Sequence, residues 1–256
     1  MKEQLELSRP WRRLFPSPLP LVLILFVILT GFRAYGYFGR EFFHGTSVMI
    51  GFVLMWFVPL VFLTRYGREQ IGFRRSISWK WMLYGILLGG AAAAICYLLG
   101  VLLYGKSDQN WFVSVAYTFQ SDERIAQLPR HLAFIAFTVP AMLASPIGEE
   151  IFFRGVAEQA GRDRMSPVSC ACFAATLFAL AHLIHHGIHS GLNGIEIMPV
   201  SGTIWFILIF ASSLVFSLVR QKGGSIWTAV FAHATFNLVM NITIFYSLLV
   251  TDPKTI

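Results

Sequence analysis

Charge is scarce in this sequence. Asp, Glu, Lys and Arg make up 13% of its 256 residues, against roughly 25% in soluble globular domains. That shortage excludes an ordinary soluble domain. Cysteine is scarce too, and Cys96, Cys170 and Cys172 all lie within apolar runs. Cys170-x-Cys172 has neither metal nor redox spacing, so the three thiols read as small packing residues. No basic stripe or RNA-type aromatic motif accompanies the net charge of +7, which argues against a nucleic-acid partner. No internal repeat or low-complexity tract is visible. No A-x-A site follows the basic N-terminal region (Arg9, Arg12, Arg13) and its apolar run Leu21 to Leu29, so that run reads as an uncleaved first span rather than a signal peptide.

Long apolar runs are abundant, at 56% hydrophobic residues overall. A helix needs about 20 apolar residues to cross ~30 Å of hydrocarbon. Runs near 20–38, 46–64, 81–104, 131–162, 167–188, 203–219 and 225–250 qualify. The fourth is long enough to be kinked by Pro140 and Pro146, or to be two segments. The fold expected is therefore all-α: a polytopic transmembrane helix bundle of seven or eight spans in the lipid bilayer, with an intramembrane cavity. Residues 1–130 supply generic spans and loops, and 131–250 carry the informative motifs, within one integrated membrane domain. The loop 105–130, with Lys106, Asp108, Asp122, Glu123 and Arg124, reads as an exposed connection. Gly85-x-x-x-Gly89, backed by Gly90 and Ala91 to Ala94, makes a small-residue helix face suited to close packing in the bundle. A homodimer contact is a second use for it.

Basic residues indicate orientation. One side collects fourteen: Lys2, Arg9, Arg12, Arg13, Arg65, Arg68, Arg74, Arg75, Lys80, Arg154, Arg162, Arg164, Arg220 and Lys222. The other collects six: Arg33, Arg40, Lys106, Arg124, Arg130 and Lys254. The bias favours a cytoplasmic N-terminus, and a bacterial inner membrane is the compartment expected.

The chemistry concentrates in Ser145-Pro-Ile-Gly-Glu149-Glu150-Ile-Phe-Phe-Arg154-Gly155. Carboxylates and a guanidinium at membrane depth are costly unless they pair or work on something. Glu150, Arg154 and Glu158 follow an i, i+4, i+8 pattern that lets them pair along one helix face. Glu149 points about 100° away from Glu150, so one carboxylate can be held while the other faces a cavity. Phe178 and His182 share a face, as do His233 and Asn237. By helical rise, Glu149 lies roughly 20 Å and His182 roughly 22 Å from the same edge, with His233 and Asn237 at roughly 12–18 Å. The three sites can converge. A glutamate, two histidines and an asparagine suffice for water-mediated hydrolysis, as a base, a partner and oxyanion donors.

Glu149-Glu150-x-x-x-Arg154, Phe178-x-x-x-His182 and His233-Ala-x-x-Asn237, in that order, resemble the three motifs of the CPBP intramembrane protease family. That family includes type II CAAX prenyl endopeptidases, bacteriocin-processing and self-immunity proteins, and abortive-infection (ABI) proteins. Gly223-Gly-Ser-Ile-Trp227 is similar to the family's lead-in to its last motif. The resemblance implies an endopeptidase acting on a membrane-associated protein or peptide from the cytoplasmic side. It makes Glu149 the base, assisted by His182, with His233 and Asn237 as oxyanion donors and Glu150, Arg154 and Phe178 in support. No cofactor is expected. The alternative is Zn2+ held by Glu149, His182 and His233, a ligand set zinc accepts. His182, His185, His186 and His189 would share a face if their helix continued, but Gly187 and Gly191 favour a solvated loop. A proton-coupled transporter or channel and a non-catalytic partner-binding member remain alternative functions.

Overall fold

Hydrocarbon offers the backbone no water to bond, so long apolar runs satisfy their amides as helices. The computed structural model describes residues 4–38, 44–73, 78–120, 127–191 and 194–249. Its helices are α1 (Arg9–Leu14), α2 (Pro18–Phe38), α3 (His44–Phe62), α4 (Arg65–Gln70), α5 (Trp79–Tyr104), α6 (Trp111–Gln120) and α7 (Arg130–Glu149). A π-helical segment (Glu150–Ala157) and α8 (Glu158–Ala160) extend α7. Then come α9 (Pro167–His182), α10 (Pro199–Gly223) and α11 (Ile226–Thr243), the last ending in a second π-helical turn (Ile244–Leu248). By length and composition, five stretches among the described residues can cross a membrane: Pro18–Phe38, Trp79–Tyr104, Arg130–Ala160, Pro199–Gly223 and Ile226–Leu248. Ser47–Phe62 and Pro167–His182 are shorter apolar helices. These seven follow the order of the apolar runs, and the protein is an integral, all-α polytopic membrane bundle.

The outer faces of the helices carry large apolar side chains. Val27 on α2, Leu87 and Leu102 on α5, and Ile135 and Leu143 on α7 are all exposed, as suits helices facing acyl chains. The inner faces use smaller residues. A β-carbon on Gly89 would sit 2.0 Å from the Ala232 carbonyl oxygen, and one on Gly85 would sit 2.9 Å from Val219 Cγ1. The small-residue face of α5 is therefore engaged within the chain, against the helix that carries His233. Gly148 plays the same part beside Glu149. A β-carbon there would lie 2.6 Å from the Phe52 carbonyl oxygen, so α3 and α7 touch through backbone. Trp56 Nε1 donates to the Ala144 carbonyl at 3.1 Å across the same contact.

The structure decides three expectations. The connection 105–130 is not wholly an exposed loop. Lys106 and Asp108 are exposed, but α6 folds back into the bundle with Trp111 and Phe112 fully buried. Trp111 Nε1 donates to the Cys96 carbonyl at 3.0 Å, and its ring stacks on Trp205. Burial of two large aromatics outweighs the polar residues around them. Asp122, Glu123 and Arg124 lie outside the described residues. Second, of the two readings of the run 131–162 the single stretch holds, as Arg130–Ala160, with Pro140 and Pro146 inside α7. Third, the run expected to reach 188 stops as a helix at His182. A short antiparallel hairpin, β1 (Ile188–Gly191) with β2 (Gly194–Ile197), follows it.

Residues before the first span belong to the fold. Leu7 bridges Leu63, Ser8 N donates to the Phe62 carbonyl at 2.9 Å, and Leu5 and Leu7 are buried.

Candidate active site

Glu149 ends α7 and Glu150 opens the π segment, all eight residues of which are buried. Single π turns inside α-helices occur frequently at functional sites. The two carboxylates are adjacent, both fully buried, and each faces one guanidinium. Glu150 Oε1 is 3.0 Å from Arg154 Nη1, four residues on. The Arg154 guanidinium lies over the Phe178 ring at 4.1 Å and the Phe216 ring at 5.1 Å. Glu149 Oε1 accepts from Arg33 Nη1 of α2 at 2.6 Å. Its Oε2 accepts from Ser145 Oγ at 2.8 Å.

The histidines reach the carboxylates from two other helices. His233 Nδ1 is 2.8 Å from Glu150 Oε1, and His233 Nε2 is 3.6 Å from Glu149 Oε2. One imidazole thus spans both glutamates. Glu150, when ionised, only accepts, so the proton of that bond is on Nδ1. His182 Nδ1 is 2.8 Å from the Phe178 carbonyl, which also only accepts, so Nδ1 donates there too. In a neutral ring the lone pair is then on His182 Nε2, 4.0 Å from Glu149 Oε1. Phe178 packs between these groups, its ring 4.2 Å from that of His182 and edge-on to His233 at 5.6 Å.

Local chain chemistry sets these positions. Ser166 caps α9 by accepting from Ser169 N, with Pro167 at the first helical position, so His182 falls at the helix end. Trp205 Nε1 fixes that end by donating to the His182 carbonyl at 3.1 Å. Gly224, at φ 72°, closes α10 through a left-handed cap, a conformation glycine adopts without steric cost. Ser225 then caps α11. The Gly223-to-Trp227 segment is a tight helix–helix turn that sets the depth of His233.

Not every candidate joins the cluster. Asn237 shares the His233 face but donates through Nδ2 to the Ala141 carbonyl at 2.7 Å, tying α11 to α7. Glu158 does not extend the Glu150–Arg154 row as the i, i+4, i+8 spacing suggested. It accepts from Arg162 at 3.2 Å and Gln221 at 2.8 Å, because the π register breaks the row of a regular α-helix. The expected solvated histidine loop is also corrected. His186 is 1% exposed, with Nδ1 2.7 Å from Ser114 Oγ. His185 is half-buried, its Nε2 3.0 Å from Arg33 Nη2. The turn after α9 packs inward against α6, an element absent from the expected topology. The His189 side chain lies outside the described residues.

Arg33 and Ser145 are the site residues that sequence reasoning missed. Arg33 was counted among loop charges, yet it is 5% exposed within α2. A single arginine inside a 21-residue apolar helix was itself the signal.

The zinc alternative meets an obstacle in this arrangement. The Arg33 guanidinium occupies Glu149 Oε1 at 2.6 Å, so a dication on that carboxylate would stand beside a fixed cation. Among the described residues no group of three or more His, Cys, Asp or Glu is arranged to hold a metal ion.

Fold and site together define a polytopic helical membrane protein with a buried glutamate–histidine centre held between two arginines. Residues 131–239 match the family model described as type II CAAX prenyl endopeptidase Rce1-like, and this likeness supports a CPBP/CAAX protease assignment. The matched stretch is under half of the chain and contains all three motifs. The match supports, in general terms, a CAAX-type intramembrane endopeptidase. No curated protein and no solved structure matches the chain.

Proposed function

We propose that the protein hydrolyses a peptide bond of a membrane-associated protein or peptide, near the cytoplasmic side, with water activated by Glu149 and His182. One observation carries this reading. Glu149 Oε1 and the lone-pair nitrogen of His182 are two acceptors facing each other across 4.0 Å. Groups so disposed suit a molecule that can donate to both, and water is the smallest such donor.

In the proposed reaction water gives a proton to Glu149 as its oxygen bonds to the carbonyl carbon of the scissile peptide. The carbonyl oxygen becomes an oxyanion. His233, held by Glu150 through Nδ1, presents Nε2 toward the reacting region and stabilises that charge when protonated. Preorganised donors of this kind contribute about 10²–10³ in rate. The proton then passes to the leaving nitrogen, the C–N bond breaks, and a carboxylic acid and an amine result. Asn237 is a less direct donor in this reading, because its amide is already engaged with Ala141. No step uses a metal ion. Basic residues of the inner loops favour a cytoplasmic N-terminus.

The test is cleavage of a prenylated CAAX peptide, alongside a membrane-proteome comparison of a deletion strain with one carrying Glu149→Gln. Glu149→Gln and His182→Ala should each lose at least ~10³-fold in turnover while inserting normally. Uncut precursors should accumulate in both strains. Chelators should leave wild-type turnover unchanged. Cleavage by Glu149→Gln at the wild-type rate would sink the reading. Ion flux that needs Glu149, without peptidase activity, would replace it with a transporter.

A further inference from the structure

Arg33 lies in α2, 116 residues from Glu149 in the chain and outside the stretch that carries the family motifs. Its two terminal nitrogens serve different elements. Nη1 donates to Glu149 Oε1 at 2.6 Å, and Nη2 is 3.0 Å from His185 Nε2 in the turn after α9. The guanidinium also lies 5.1 Å from the Phe52 ring centroid on α3. One buried side chain therefore ties α2 to the end of α7, to the turn after α9 and to α3. The charges balance pairwise as well. Two adjacent buried carboxylates face two buried guanidiniums, and Arg154 is already committed to Glu150.

We propose that Arg33 is a positioning residue for the reaction: its forked guanidinium is the counter-ion of Glu149 and holds that carboxylate and the post-α9 turn in one geometry. Burial makes this arrangement specific. A carboxylate left in an apolar site without its partner is strongly destabilising, whereas removing both charges can be neutral. The fork matters separately from the charge. Lysine restores the cation but not two directed bonds to two elements.

The turnover arm of the test rests on Glu149 being the base, while the stability arm does not. Arg33→Met, Arg33→Lys, Glu149→Gln and the double variant Arg33→Met/Glu149→Gln are compared as full chains in lipid nanodiscs. Arg33→Met should lower the thermal midpoint by roughly 5–10 °C. The double variant should melt above it, within about 2 °C of wild type. If Arg33→Met yields no folded protein, the double variant should still fold. A double variant no more stable than Arg33→Met, or one that also fails to fold, overturns the ion pair. On a prenylated CAAX peptide, Arg33→Met should lower kcat about 100-fold with KM within about threefold. Arg33→Lys should recover kcat to within about tenfold of wild type. A loss of packing alone would not be rescued by lysine. Turnover of Arg33→Met within threefold of wild type, beside an inactive Glu149→Gln, overturns the positioning role and leaves the base reading intact. An active Glu149→Gln overturns the base reading, and the melting comparison still decides the ion pair.

Discussion

Glu149 and Glu150 are neighbours in the chain, equally buried, each with one arginine, yet their surroundings are built differently. Glu150 is held from within its own helical stretch by Arg154, and it holds His233 at 2.8 Å. Glu149 is held from the far end of the sequence by Arg33, and histidine nitrogens approach it at 3.6 and 4.0 Å without closing on it. One carboxylate is locked into a network. The other accepts one bond on each oxygen, from Arg33 and from Ser145, and each oxygen still faces an imidazole that has not closed on it. The first suits a scaffold and the second suits a base, which needs an acceptor free to receive a proton.

The largest expected effect tests that division directly. Glu149→Gln should abolish cleavage, a loss of at least ~10³-fold. Glu150→Gln keeps an acceptor for His233 Nδ1 and should cost only roughly 10–100-fold, as it acts through one stabilising donor. Rates measured side by side on one peptide decide it. Equal losses would mean that the two glutamates work as a unit and that the division is wrong.

Legibility in the sequence follows the same line. The Glu150–Arg154, Phe178–His182 and His233–Asn237 pairs could be read because four residues bring side chains onto one helix face. The apolar runs could be read because each must span hydrocarbon. Arg33 was hidden by sequence distance: no local spacing joins it to Glu149, and in a charge count it resembles a loop residue. The burial of His186 was hidden for a related reason. It depends on α6, whose Trp111 and Phe112 sit in a segment with enough polar residues to pass for a loop. The π segment left no trace in the residue pattern, and with it went the placement of Glu158. Tertiary contacts supplied what period and composition could not.

Stability offers a second test. Arg154→Met leaves Glu150 charged in a fully buried site and removes a cation lying over two aromatic rings. A loss of about 3–5 kcal/mol is expected. It should exceed the loss in Arg33→Met, because Arg154 is the more deeply buried arginine and is stacked on two rings rather than one. Thermal or denaturant unfolding in nanodiscs measures both, and a larger loss in Arg33→Met would reverse the ranking.

A third test reaches the site through packing. Gly89 lets α5 approach the Ala232 carbonyl more closely than any side chain allows, and His233 is the next residue. Gly89→Leu should cost about 1–3 kcal/mol by overpacking and shift α11. His233 would then move relative to both glutamates. Turnover should fall more than substrate binding weakens, because the displaced group acts on developing charge. An unchanged kcat beside a lowered melting midpoint would show that α11 adjusts without carrying His233 along.

The smallest effect belongs to the residue shared by both halves of the site. Phe178 lies under the Arg154 guanidinium, against the ring of His182 and edge-on to His233 and Phe153. Leucine would keep much of the apolar volume and lose the π face. The cation–π and ring contacts are worth about 1–2 kcal/mol together, which is roughly a 2–8 °C drop in melting midpoint for a chain of this size. The kinetic consequence separates the two carboxylates again. If Phe178 serves mainly the Arg154 network, Phe178→Leu in an Arg154→Met background adds little further loss of stability. If it serves mainly to aim His182 at Glu149, turnover falls several-fold even there. A double-mutant cycle read in both melting and kcat assigns the ring to one carboxylate or to both.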